Sequence, residues 1–168
     1  MNLKPNYFQS IILRVPFLDV TNTMLNKNLP LTIHEYDEWG NPNEKENLEY
    51  IKSYSPYQNL NEEINYPNIL ITSSLFDYRV PFWNSLKFVA KLREFRDKNK
   101  QFKRLLLLRM KNFGHNEEIG TTAMIENLSL EYSFICATLQ VDLTVDLEIK
   151  NQIEKDLEEE EEEKEEVK

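Results

Sequence analysis

Three short, unbroken apolar runs set the strongest limit on what this chain can fold into. They are Gln9–Val15 around Ile11-Ile12-Leu13, Pro67–Thr72 around Ile69-Leu70-Ile71, and the four leucines Leu105–Leu108. Runs of this length without polar alternation predict strands covered on both faces, as in parallel sheets. Between the second and third runs, Val80, Trp83, Leu86, Val89, Leu92 and Phe95 recur at about three-residue steps, with Lys87, Lys91, Arg93, Glu94 and Arg96 opposite. That pattern predicts an amphipathic helix. Asn43 is a candidate N-cap for a helix over 44–54, which Ser55-Pro56 ends. Residues 1–7 read as the tail of a helix stopping near Pro5, and residues 17–41 as mixed structure with turns. Thr121 or Thr122 caps a last helix carrying Met124, Leu128, Glu131, Tyr132 and Ile135. Strands alternating with helices predict an α/β fold with a mostly parallel sheet, whose working residues sit in loops past the carboxyl ends of strands.

Charge divides the chain in two. Of the net charge of -9, residues 154–168 contribute -7, with ten acids against three bases, and the rest only -2. That end has Leu157 and Val167 as its only apolar residues. Like charges at helical spacing repel, and nothing there can be buried to offset chain entropy, so a disordered acidic tail is expected. The chain thus reads as a folded unit over 1–145 followed by a low-complexity tail over 146–168. No basic stripe with interleaved aromatics points to nucleic acid. No apolar stretch reaches the length of a membrane span. Two histidines and one cysteine, far apart, offer no metal-ligand spacing, and no glycine loop cradles a phosphate, so no cofactor is expected. Cys136, in Phe134-Ile135-Cys136-Ala137, reads as a buried packing residue. A lone cysteine and no signal-peptide core fit the cytoplasm.

Two loops hold chemistry. Asp77 follows the second run, and His115 follows the third in Gly114-His115. On the residues alone they are either bystanders or the acid and base of a Ser-His-Asp relay, in which a carboxylate orients an imidazole that moves a proton for a nucleophile. Their order matches the nucleophile, acid, base order of α/β-hydrolases. Glu35 and Asp37 are two apart, and in an extended segment both carboxylates would point one way, able to pair with an arginine or lysine or simply to face water.

Several ordered strings go further: Arg14-Val15-Pro16-Phe17-Leu18-Asp19-Val20 with Asn22-Thr23-Met24-Leu25, then Glu35-Tyr36-Asp37-Glu38-Trp39-Gly40-Asn41-Pro42, Ile51-Lys52-Ser53-Tyr54-Ser55-Pro56-Tyr57, Asp77-Tyr78-Arg79-Val80-Pro81-Phe82-Trp83, and Gly114-His115. Together, from Met1 to about Leu139, they resemble the C-terminal part of the prolyl oligopeptidase family of serine peptidases, on its oligopeptidase B branch. The resemblance implies a partial α/β-hydrolase fold. It implies Asp77 as triad acid, His115 as triad base, Arg79 as a substrate-contacting arginine, and Glu35 with Asp37 as carboxylates that hold a basic side chain. The implied activity is cleavage of short peptides after Arg or Lys.

The G-x-S-x-G elbow that carries the family's nucleophile is absent, because no two of Gly40, Gly114 and Gly120 are four positions apart. The resemblance puts the serine roughly ten residues before Met1. The chain alone is therefore expected to be inactive, needing a segment or partner chain that bears the serine. The alternative is a non-catalytic remnant acting as an interaction module. The base loop also departs from the family's small residues: Asn116-Glu117-Glu118 follow His115.

Overall fold

The computed structural model describes residues 1–100, 103–115 and 120–141. The order is β1 (Ser10–Arg14), α1 (Val20–Leu25), α2 (Tyr36–Trp39), α3 (Lys45–Tyr54), β2 (Asn68–Ser74), α4 (Trp83–Lys98), β3 (Leu106–Lys111) and α5 (Thr121–Leu139). The three apolar runs form one parallel sheet in the order β1-β2-β3. Ile11 stands beside Ile69 and Leu106 beside that, and Leu13, Ile71 and Leu108 form the next row. Side chains alternate along strands, so this face meets Phe88, Val89, Leu92 and Phe95 of α4 in the main core. The other face of β1 carries Ser10 and Arg14. Ser10 donates to Thr138 at 2.6 Å, and Arg14 forks onto the Glu131 carboxylate, with its Nε at 2.6 Å, which fastens α5 there.

Several elements differ from the sequence expectation. Only β2 is buried throughout. Among the described residues β3 is an edge strand; Leu106 and Leu108 pack on the core while Leu107 and Met110 are 36% and 39% exposed. On α4 the buried set is Asn84, Ser85, Phe88, Val89, Leu92 and Phe95, whereas Trp83 and Leu86 face outward. A three-residue step turns about 300°, so a stripe read that way drifts off the buried face. Pro5 begins a 3-10 turn, Pro5–Tyr7, instead of ending a helix. Its fixed φ suits a first helical position. The cap of α3 is Glu44; Asn43 sits one residue outside it, its backbone N–H donating to the Asn41 side chain at 3.1 Å. Cys136 is half-buried rather than buried. The expected acidic tail lies outside the described residues.

Residues 17–41 contain two short helices, and α1 is locked to α4 through buried polar groups. Asp19, 1% exposed, accepts from Lys87, from Gln58 at 2.7 Å and from Asn22 at 2.9 Å. The Asn84 side chain accepts from the Asp19 N–H at 2.7 Å and donates to Thr23 at 3.1 Å and to the Pro81 carbonyl at 3.2 Å. Lys87 and Lys91 lie over the Tyr57 ring, 4.6 and 4.8 Å from its centre.

Candidate active site

The register sets Ser74 at the end of β2 beside Lys111 at the end of β3, so the two following loops leave the sheet side by side. Backbone hydrogen bonds join them: Leu75 N–H to the Lys111 carbonyl at 2.8 Å, and Phe76 N–H to the Phe113 carbonyl at 3.1 Å. These bonds carry Asp77 to within reach of His115.

The Asp77 side chain is fully buried. Its Oδ1 accepts from the backbone N–H groups of Arg79 at 2.8 Å and Val80 at 2.9 Å. An aspartate that binds the second and third N–H after itself makes a tight local turn, and that turn leaves Oδ2 for His115 Nδ1, 2.9 Å away. An ionised carboxylate only accepts, so Nδ1 carries the hydrogen, and in the neutral ring the lone pair lies on Nε2. No hydrogen bond holds Nε2 among the described residues. The imidazole, with its side chain 33% exposed, borders a cavity of about 290 Å³. The pair can therefore accept a proton at one nitrogen while the buried carboxylate stabilises the charge that results.

The same cavity receives Arg79, Val80, Glu35, Glu38 and Trp39, with Phe17, Met24 and Leu31 among its apolar walls. Of the residues singled out in the sequence, Asp77 and His115 are in contact, and Glu35 and Arg79 share the cavity that His115 borders. Asp37 does not line it and is exposed. The extended geometry expected for Glu35 and Asp37 is replaced by a helical turn: Glu35 is the N-cap of α2, and Asp37 lies inside that helix. Residues two apart on a helix diverge. Glu38, three after Glu35, was not among the expected site residues. A helical reading of 35–39 would have found it, but four residues carry too little periodicity to announce a helix. Asn116, Glu117 and Glu118, which put two carboxylates next to the imidazole in sequence, lie outside the described residues.

A parallel sheet with helices on both faces, and a carboxylate–imidazole pair past its carboxyl ends, is the architecture of the α/β-hydrolase peptidases. The chain belongs to the prolyl oligopeptidase family, whose model matches residues 1–142. It is 37% identical over 141 residues to Protease 2 of Moraxella lacunata, covering 84% of this chain and 20% of that protein. Dipeptidyl aminopeptidase BI of Pseudoxanthomonas mexicana is 46% identical over 93 residues, 55% of this chain and 13% of its own. Among solved structures, oligopeptidase B from Leishmania major superposes with a TM-score of 0.75 at 34% identity, covering 86% of this chain and 20% of that one. The chain thus spans about a fifth or less of the length of these relatives. Among the described residues, no helix is long and apolar enough to cross a membrane.

Proposed function

We propose that this chain supplies the acid and base of a serine oligopeptidase that cleaves short peptides after Arg or Lys. Asp77 orients His115, and His115 Nε2 takes the proton of a serine hydroxyl as its oxygen attacks the scissile carbonyl carbon. The imidazolium then returns that proton to the leaving amine as the C–N bond breaks, and water later hydrolyses the acyl-enzyme. Arg79 donates to a substrate carbonyl, and the carboxylates of the 35–38 turn hold the basic side chain. The serine and its oxyanion donors come from residues other than these 168, since the chain contains no G-x-S-x-G string. The observation that carries this reading is the Asp77–His115 hydrogen bond of 2.9 Å, with the other carboxylate oxygen already held by two backbone N–H groups.

The test replaces the matched segment of Moraxella lacunata Protease 2 with residues 1–142 of this chain and assays fluorogenic Arg, Lys and Ala peptides. Turnover after Arg and Lys that a serine-directed inhibitor abolishes, and that His115→Ala removes, is the expected result. The 168-residue chain by itself should be inactive on the same peptides. Serine-type turnover by the chain alone, or a chimera indifferent to His115, overturns the proposal.

One observation favours a second reading, an interaction module that acts without chemistry. Among the described residues β1 pairs on one side only, with β2. Beside its open edge, Met1, Leu3, Tyr7, Phe8, Ile11, Leu13, Leu18 and Phe88 border an apolar groove of about 710 Å³. An open edge with an apolar groove is a template for a strand from another chain. In the first reading the same edge takes the serine-bearing segment, so chimera activity separates the two.

A further inference from the structure

We propose that residues 143–149 of this chain add a strand to its own sheet, paired in parallel with the open edge of β1 and laid over the apolar groove beside it. The inference does not depend on the peptidase reading. The segment lies beyond the family match, which ends at residue 142.

The sequence of the segment alternates strictly. Leu143, Val145, Leu147 and Ile149 are apolar, and Asp142, Thr144, Asp146, Glu148 and Lys150 between them are polar. A period of two is the pattern of a strand with one face covered, whereas a helix scatters such side chains round its axis. The acid-rich run that follows then starts past Ile149.

The fold delivers this segment to β1. α5 packs on β1 and β2 and runs antiparallel to them. Glu131, midway along it, meets Arg14 at the carboxyl end of β1, and Thr138, near its end, meets Ser10 at the amino end. Gln140 then takes the left-handed conformation, with φ of 56°, and Val141 N–H donates to the Cys136 carbonyl at 3.0 Å, which ends the helix. The residues after Val141 lie outside the described residues. A chain that leaves there and runs on beside β1 travels parallel to it.

Handedness selects this edge over the outer edge of β3. The connection β2-α4-β3 crosses the face that holds the main core and moves toward β3. α5 lies on the opposite face, with Ser10 and Arg14. A half-turn about the strand direction exchanges both the face and the direction of travel. The return from β3 over α5 to the outside of β1 therefore has the same hand as β2-α4-β3. A strand added outside β3 would have the other hand, which parallel crossovers avoid.

The side chains agree. Ile11 and Leu13 border the groove of about 710 Å³, with Leu18 and Phe88, and Leu3 and Tyr7 on its rim are 92% and 77% exposed. Turning Leu143, Val145, Leu147 and Ile149 to that side covers it. The polar residues then fall on the opposite face, where Arg14, its side chain 52% exposed, stands at the end of β1. Asp146 or Glu148 comes beside that guanidinium, according to the register, and adds a carboxylate to the one Glu131 supplies. A serine-bearing segment, or a strand from another chain, has to displace this one to reach β1.

The test uses the full 168-residue chain, isotope-labelled, with NMR contacts and amide exchange as readouts. The wild type should show backbone contacts between residues 143–149 and residues 11–13, and slow exchange in both. Val145→Pro removes a backbone N–H, and Leu147→Asp puts a charge into the groove. Each should speed exchange of the β1 amides roughly tenfold, the equivalent of about one lost hydrogen bond. Val167→Asp, further along the tail, should leave them unchanged. A synthetic peptide of residues 142–150 should bind the Val145→Pro chain and not the wild type, whose edge is taken. The proposal is overturned by contacts to β3 in place of β1, by contacts found only between differently labelled copies, or by a wild type that binds the peptide as well as Val145→Pro does. It also falls if β1 amides exchange as fast in the wild type as in both variants. The peptidase chimera ends at residue 142, so failure there and failure here are separate results.

Discussion

Two buried aspartates, Asp19 and Asp77, face the same physical problem and solve it with different materials. A buried carboxylate must be paired or hydrogen-bonded. Asp19, at the seam of α1 and α4, is surrounded by side chains: the Lys87 ammonium and the amides of Gln58 and Asn22. Asp77, past β2, is held by backbone N–H groups and by one imidazole. The first set includes a permanent cation, the Lys87 ammonium. The second ends in an imidazole that borders a cavity. A buried charge by itself therefore does not mark a functional site. What distinguishes Asp77 is that its partner is an imidazole that borders a cavity.

The sharpest way to break this contrast is to change each acid and ask what is lost. In the Protease 2 chimera, Asp77→Asn should lower kcat by about 10⁴-fold, because an amide favours the wrong imidazole tautomer. The melting point should hardly move, since the amide oxygen can still accept from Arg79 and Val80. A fall in stability with intact turnover would make Asp77 a structural residue like Asp19. Conversely, Asp19→Ala should cost about 3 kcal/mol in urea unfolding, with little change in KM for Arg peptides, because it strands Lys87, Gln58 and Asn22. An active-site phenotype there would erase the distinction.

A smaller effect concerns acid. Burial alone pushes the Asp19 carboxyl up, but hydrogen bonds from Lys87, Gln58 and Asn22, together with the charge of Lys87, outweigh it and hold the group below its ordinary value. The unfolded chain then binds more protons than the folded one at mildly acid pH. The stabilisation from Asp19 is thus fully present above about pH 5 and is lost as pH falls through the folded value. Asp19→Asn should flatten this part of the stability–pH curve, as followed by urea midpoints from pH 7 to 3. An unchanged slope would mean that other carboxylates dominate it. The smallest expected effect is at the half-exposed Arg14–Glu131 pair. Arg14→Met should cost about 1 kcal/mol, seen as faster amide exchange in α5.

The fold class was legible because burial on both faces of a sheet demands continuous apolar segments, and Ile69-Leu70-Ile71 cannot be much else. The order of Asp77 and His115 along the chain was legible too. Less visible was α2, whose four residues carry too little periodicity to announce a helix, so sequence pattern alone makes Glu35 and Asp37 extended partners and gives no sign of Glu38. The exposure of Leu107 and Met110 on β3 and the outward turn of Trp83 and Leu86 were equally hidden, since apolar side chains do not declare whether a neighbouring element covers them.

By itself the sequence determined the strand segments, their alternation with helices and the two loops that hold an acid and a base, because these depend on local pattern and chain order. The tertiary structure decided which carboxylates share the cavity and how Asp77 meets His115. Those outcomes depend on parallel register and on backbone bonds between distant loops, Leu75 to Lys111 and Phe76 to Phe113, which exist only once the strands lie side by side.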